Sequence, residues 1–420
     1  MAKLTLHKQT LANMNEICAW FSAKTASLSY PIYSSYDIRD SGYKVSNVDA
    51  NIFPAGFNNI CPTDKESSIG LMNKYIVRHY GEAVKKILLV TEEHTNNAFY
   101  WENVYTIKSL IEASGITVKV AIPRELPEPL NITSSAGHEV QVHSALMTGP
   151  LMNDYQPDLI ISNNDFSEAY EEWAKTVTEF PMNPPRELGW YQRKKSTYFK
   201  YYNQLVEEFS AIAKIDPFLL AVETELFENF DIGDEKSREA LATRVDAMIE
   251  KLKVEYKKRG IEQEPFVFVK NNAGTYGLAV IRVGSGAEVK QWSYKSRKKM
   301  KAAKGGRDVE EVIIQEGIPS IVQSDDASAE PVIYMIGCDL AGGFLRTHSE
   351  KSSTESLNSP GAVYKRLCVS DLAINTPGCP QENVYGWTAK LGLLAIAHEA
   401  QELNAVFKGY TQTSGCDKSP

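Results

Sequence analysis

FVFVKNNAGTYGLAVIRV, residues 266–283, is the stretch on which the fold turns. Phe266 to Val269 is an apolar run of β type that ends on Lys270. A small-residue loop, Asn271 to Gly277, follows, and a second apolar run, Leu278 to Val283, returns. The pattern predicts strand, loop, strand, with a lysine at the mouth of the loop and glycines at Gly274 and Gly277. Glycine lets backbone N–H groups approach a bound anion closely. A lysine at a strand end reaches phosphate as a point charge. Taken alone, the stretch also reads as an ordinary hairpin with a glycine turn, so the flanking chain has to decide.

Working downstream, a basic segment spans Lys290 to Arg307 and reads as a flank of a phosphate site or as a solvated helix. Val312 to Gln315 is a buried strand that runs into Glu316-Gly317-Ile318-Pro319. Pro331–Gly337 and Gly343–His348 read as an antiparallel pair about a DLAGG turn. Ser349–Gly361 (SEKSSTESLNSPG) is a polar loop, and Tyr385–Leu403 is a final apolar helix. Upstream, Asp234–Lys258 has helical apolar spacing and stops at Gly260. RKKSTYFKYYNQLVEEFSAIAKI opens another long helix, with Lys194 and Lys195 at its start and Arg186 just before. Cations oppose the dipole at a helix start, which points to an anion held there or to a solvated face.

Farther upstream, strands Lys86–Thr91, Thr117–Ile122 and Asp158–Ser162 alternate with a helix over Asn97–Ser114, which predicts a parallel sheet with covered faces. Residues 181–186 (PMNPPR) mark a boundary. Residues 1–30 read as helix. Residues 31–62 are turn-rich and polar, carrying Arg39, Asp40, Asp49, Asn51, Asn58 and Asn59, with strand-like alternation only around Tyr43–Val48. Such Asp/Asn density beside Gly and Pro is commonly loop chemistry. The expected fold class is α/β with α+β elements. Its expected lobes are 1–185 (an N-terminal α/β lobe), 186–320 (lid and hinge) and 321–420 (a C-terminal lobe).

Bulk properties narrow the function. A chain of 420 residues, 43% hydrophobic and 23% charged, can bury a large core. A net charge of −8 disfavours nucleic acid or an anionic membrane as the main partner. No run approaches the ~20 apolar residues of a membrane span. The six cysteines form no CxxC pair, zinc spacing or disulfide framework, which places the chain in the cytoplasm; a homo-oligomer is left open. There is no GxSxG, HExxH, GxxxxGK[ST] or GxGxxG pattern. What recurs is strand-borne cations and small-residue loops: Lys270 with GTYG, Arg346 on a strand, Asn358 and Ser359 in a Ser/Gly loop. These suit phosphate. A reaction in which ATP activates a carboxylate needs no protein nucleophile, only cations, magnesium and exclusion of water.

The order VK…GTYG, then a strand ending QEGI, then GGFLRTH, then NSPG resembles the ATP-grasp ligases, and within them the eukaryotic type of glutathione synthetase. Taken whole, with the run DIRDSGYKVSNVDANIFPAGFNN, the chain is similar to bacterial glutamate–cysteine ligases of the ATP-grasp type over nearly its full length. The resemblance implies an ATP-grasp fold and ATP- and Mg²⁺-dependent joining of the L-glutamate γ-carboxylate to the L-cysteine amine, the first step of glutathione synthesis. It places ATP on Lys270, the Gly274-Thr275-Tyr276-Gly277 lid, Gln315, Glu316 and Ile318; Lys194 or Arg186, read from their place near a helix start, is the further cation expected for the phosphates. It makes Lys270 and Arg346 catalytic. It assigns substrate to Arg39, Arg346, Asn358 and Ser359, and metal to Asp49 and Asn51. The chain departs from the family pattern in two respects. The usual C-terminal carboxylate-x-Asn strand is missing, with Glu355 and Asn358 as the other candidates, and the NNAGTYG loop carries no acidic metal ligand. Another amino-acid ligase of this fold and a non-catalytic nucleotide or amino-acid sensor remain alternatives on residue chemistry.

Overall fold

The computed structural model describes residues 2–94, 96–146, 154–273, 279–301, 309–368 and 384–416. The GTYG loop therefore lies outside the described residues, as do most of the basic segment's far end and the stretch before the last helix. Among the described residues no helix is long and apolar enough to cross a membrane.

Two helices open the chain, α1 (Ala2–Ala12) and α2 (Met14–Ala26). They are interrupted at Asn13, whose side-chain amide donates to the carbonyls of Gln9 and Ala213. Residues 31–52 differ from the loop expected of them. They form a hairpin, β1 (Tyr33–Asp40) and β2 (Val45–Asn51). Its polar residues hid it. Tyr36 and Ile38 face the core, while Asp37 and Arg39, also buried, face the opposite side, which is a site rather than solvent. The period of two holds along β1, although its pairing with β2 shifts by one residue between Asp37 and Ile38, and both faces are covered.

An α/β unit follows: α3 (Pro62–Tyr80), β3 (Lys86–Thr91), α4 (Ala98–Glu112), β4 (Thr117–Ile122), β5 (Leu130–Thr133), β6 (Glu139–Ser144), β7 (Leu159–Asn163), α5 (Glu171–Thr176) and β8 (Met182–Asn183). The strands lie in the order β5-β6-β4-β3-β7-β8. All neighbours are parallel except the β5–β6 pair, as alternating strands and helices predict. Asn97 caps α4 by accepting from the Tyr100 N–H.

A second unit has its own core. α6 (Lys195–Ala213) leads into it but packs in the main core; the unit itself comprises β9 (Thr224–Phe227), α7 (Glu235–Lys258), β10 (Val267–Asn271), β11 (Val280–Val283), the short helices α8 (Gly286–Lys290) and α9 (Tyr294–Lys301), and β12 (Val312–Glu316). The antiparallel sheet runs β11-β10-β12-β9. Leu241, Val245 and Leu252 on one face of α7 pack against Val267, Val269, Val312 and Ile314. Asp234 starts α7 by accepting from the N–H groups of Lys236 and Ser237.

The last sheet is assembled from both ends of the chain. β13 (Gln323–Ser324), β14 (Ala327–Ile336), β15 (Asp339–His348) and β16 (Val363–Leu367) join the first hairpin in the order β16-β15-β14-β1-β2, with β13 beside β14. This sheet thus spans the linear boundaries at 185 and 320, whereas the other two sheets lie within them. The turn between β14 and β15 is Gly337-Cys338, not DLAGG, which is itself the start of β15. Gly337 supplies the positive φ of +54° that a tight hairpin requires. Helix α10 (Val384–Glu402) is buried almost throughout against this sheet. One disulfide joins Cys338 to Cys416. The two residues are 78 apart in sequence, so spacing gave no sign of the pair.

Candidate active site

Strand register builds the site. Asp37 on β1 lies directly opposite Asp49 on β2, and Glu330 on β14 lies opposite Arg346 on β15. Arg39 is two residues from Asp37 on the same face. Facing this floor is the lid sheet, with Phe268 and Lys270 on β10 and Gln315 on β12. Lys195 comes in from the first residue of α6, and Ser356 and Asn358 from the loop before β16. These groups line one cleft, closed at the hinge by Glu316 and Ile318.

The cleft is a network of opposed charges. Arg346 Nη1 donates to Asp37 Oδ2 and to Glu330 Oε1, both at 2.7 Å. Glu330 is also held by Arg39 Nε at 2.5 Å. Lys195 Nζ donates to Asp49. Lys270 Nζ donates to Gln315 Oε1 at 2.6 Å and to the Val48 carbonyl at 3.1 Å. Burial pushes the Asp37 carboxyl up; Arg346 opposes this, but Glu330 and Asp49 reinforce it. Burial also raises Asp49, yet Lys195 and Lys270 outweigh it and leave that carboxyl below its ordinary value. For Glu330, Arg39 and Arg346 outweigh burial in the same way. Burial brings Lys270 down to about 8, against the pull of Asp49.

The structure gathers Arg39, Asp49, Lys270, Gln315, Glu316, Ile318 and Asn358 into the cleft lining. Arg39 is there with its guanidinium committed: besides Glu330 it donates to the carbonyls of Ser353 and Glu355, which ties down the loop carrying Asn358. Glu316 turns its carboxylate away from the cleft onto Lys44 Nζ, at 2.8 and 2.6 Å, and onto the Tyr256 hydroxyl. Gly317 follows because an added Cβ there would overlap the Phe266 ring. Arg346 stands one layer back, behind Asp37 and Glu330. Its Nε–H is buried with no partner among the described residues, as is the Ser359 hydroxyl. Asn51 lies two residues from Asp49 on the same strand face, opposite Ser35.

Two predicted cations lie elsewhere. Arg186 donates to the Ala169 carbonyl and stacks on Tyr191, in a groove that shares no lining residue with the cleft. Lys194 pairs with Glu311 at 2.7 Å. At the start of α6 the N–H groups of Lys195 and Ser196 go to the backbone and side-chain oxygens of Asn272. Gly274, Thr275, Tyr276 and Gly277 lie outside the described residues. Glu355 is held by Lys351 and Ser352, away from the cleft lining.

Sequence reasoning missed Asp37, Glu330 and Lys195 as cleft residues. Glu330 had a signal, a single carboxylate at the head of the apolar run Val332–Ile336. Asp37 was masked by the loop-like composition around it. Lys195 was indistinguishable from its neighbour until the first turn of α6 fixed which of the two points inward.

Buried cations and carboxylates alternate in this cleft, and residues 315–318 close one end of it. That is the equipment of an ATP-dependent ligase. The chain belongs to the glutamate–cysteine ligase family: the model of that family, GshA, matches residues 7–400. It is 33% identical to a Methylobacillus flagellatus protein of known crystal structure that is provisionally named a gamma-glutamylcysteine synthetase. That match has a TM-score of 0.85 and covers 95% of this chain and 96% of the other. A D-alanyl-alanine synthetase A from Vibrio cholerae is also similar, at 11% identity over 76% of this chain and 81% of that one. Its TM-score of 0.35 is too low to argue from. Among curated proteins none matches.

Proposed function

We propose that this cleft joins the L-glutamate γ-carboxylate to the L-cysteine amine through γ-glutamyl phosphate, on an ATP-grasp frame. The observation that carries the reading is the convergence of Lys270, Lys195, Asp49, Asp37 and Glu330 between the lid sheet and the floor sheet. ATP lies with its adenine in the hinge, against Ile318 and the backbone of residues 315–318. Glu316 serves this pocket by fixing the hinge, since its carboxylate is occupied. Lys270 and Lys195 neutralise the phosphates.

The donor set fits Mg²⁺, a hard cation that takes carboxylate oxygens. Three carboxylates share the cleft, and the Asp49 side chain is the most open, 28% exposed against 6% for Asp37 and 3% for Glu330. Asp49 would hold the ion, with Asn51 beside it and Glu330 or Asp37 as the third residue that would share it. When bound, the ion supplies positive charge at the phosphate oxygens. Arg346 keeps the two inner carboxylates in place, and its unpartnered Nε–H and the Ser359 hydroxyl are donors left for substrate. A glutamate γ-carboxylate oxygen attacks the γ-phosphorus and ADP leaves. The cysteine amine then attacks the acyl carbon and phosphate leaves. An ATP-consuming ligase of this kind works in the cytoplasm, where ATP is held.

Trapping the intermediate tests this. With ATP, Mg²⁺, glutamate and hydroxylamine but no cysteine, γ-glutamyl hydroxamate and ADP are expected in equal amounts. ADP without hydroxamate would contradict the acyl phosphate.

A further inference from the structure

The segment after β2 crosses the face of the floor sheet and brings Cys61 to the end of β16. Gly56 passes so close beneath the sheet that an added Cβ would stand 2.5 Å from the Tyr334 hydroxyl and 3.2 Å from the Phe344 ring. Ile60 presses on Gly342 in the same way. At the far side Cys61 Sγ stands 2.7 Å from Cys368 Sγ, although 307 residues separate them in sequence. Cys61 is the N-cap of α3, close to the N–H groups of Thr63 and Asp64 but with no cap hydrogen bond to its side chain. Arg366 donates through Nε to Cys368 Sγ at 2.8 Å. Burial pushes the Cys61 thiol up, but Cys368 and those two N–H groups hold it below its ordinary value; burial raises Cys368. A cysteine at a helix start beside a cation is the environment of an attacking thiolate. Both sulfurs are buried, yet Pro62, Thr63 and Arg366 around them are exposed.

We propose that Cys61 and Cys368 are a redox-active dithiol, closed to a disulfide by exchange with a small-molecule disulfide. Cystine, the oxidised form of the thiol substrate, is the partner, a choice that rests on the function proposed above. The Cys61 thiolate, its proton lost to solvent, attacks one sulfur of cystine. The S–S bond breaks and cysteine leaves as a thiolate that takes up a proton. Cys368, deprotonated in turn, attacks the Cys61 sulfur of the mixed disulfide and releases the second cysteine. Two protein thiols are oxidised and one cystine is reduced to two cysteines. The bond clips the strap 52–61 to the end of β16, and so ties β2, which carries Asp49, to β15, which carries Arg346. Asp64 adds a third donor that would suit a metal, but the Arg366 guanidinium on Cys368 already supplies the positive charge a thiolate needs.

The test is a non-reducing peptide map of the full chain after incubation with cystine. A Cys61–Cys368 linked peptide, the loss of two alkylatable thiols and reversal by dithiothreitol are expected. Cys368→Ser should stop at a stable cysteine adduct on Cys61, and Cys61→Ser should form neither. Should Cys61→Ser fail to fold, the map of the unsubstituted chain decides alone. Cys61 and Cys368 both alkylated after treatment, Cys368 linked to Cys379 instead, or stoichiometric Zn²⁺ held by the pair would overturn the proposal. None of these readouts needs turnover, so they are independent of the ligase reading. Closure by hydroxyethyl disulfide but not by cystine would overturn the choice of cystine alone.

Discussion

Lys270 is the residue whose chemistry is most sharply stated. Its ammonium sits at about 8, brought down by burial. A phosphate beside it favours the charged form, so nucleotide binding above that pH must take up a proton. Affinity should therefore fall as pH rises, by roughly tenfold per unit at the limit, and Lys270→Arg, which stays charged, should flatten the profile. Titration calorimetry with a non-hydrolysable ATP analogue from pH 7 to 9 checks this; a flat profile for the unsubstituted chain would count against Lys270 as a phosphate ligand. Arg346 carries a different expectation. Its removal strips the buried Asp37 and Glu330 of the guanidinium they share, and breaking a buried pair costs about 3–5 kcal/mol. Arg346→Ala should lose stability of that order in urea unfolding as well as activity; an inactive variant of unchanged stability would mean that the ion network is not structural.

At the scale of elements, the hinge depends on a contact between distant parts of the chain. Lys44, in the turn between β1 and β2, reaches Glu316 at the end of β12, and both are buried. Lys44→Met should destabilise the chain by ~3–5 kcal/mol because the buried Glu316 loses its ammonium partner and keeps the neutral donors of Tyr256 and Glu223. The double variant Lys44→Met/Glu316→Gln should recover much of that, read by denaturant unfolding in a double-mutant cycle. Strictly additive losses would show that the two do not act as a pair. Legibility in the sequence follows the same geography. Lys86–Thr91 and Val312–Glu316 were readable because they are apolar runs bounded by turns. β1 and β2 were not, because the face they turn to the cleft carries Asp37, Arg39 and Asp49 in place of apolar residues. A functional strand violates the pattern by which strands are recognised.

At the scale of the molecule, Lys270, Gln315, Ile318, Asn358 and Asp49 were legible as members of a motif series along the chain, and they line one cleft. Arg186 and Lys194 were selected on charge near a helix start, a criterion blind to direction. Glu330 and Asp37 needed the sheet in which the first hairpin pairs with a strand nearly 300 residues later, a long-range contact that no local pattern encodes.

The central claim is that this cleft couples ATP cleavage to the union of glutamate with cysteine. The most direct measurement is ADP release with ATP, Mg²⁺ and glutamate on adding cysteine, glycine or γ-glutamylcysteine, each in turn, with γ-glutamylcysteine and glycine also supplied together without glutamate. Sustained turnover with glutamate plus cysteine alone is predicted. Turnover with γ-glutamylcysteine plus glycine, or none under any combination by a folded chain, would contradict it.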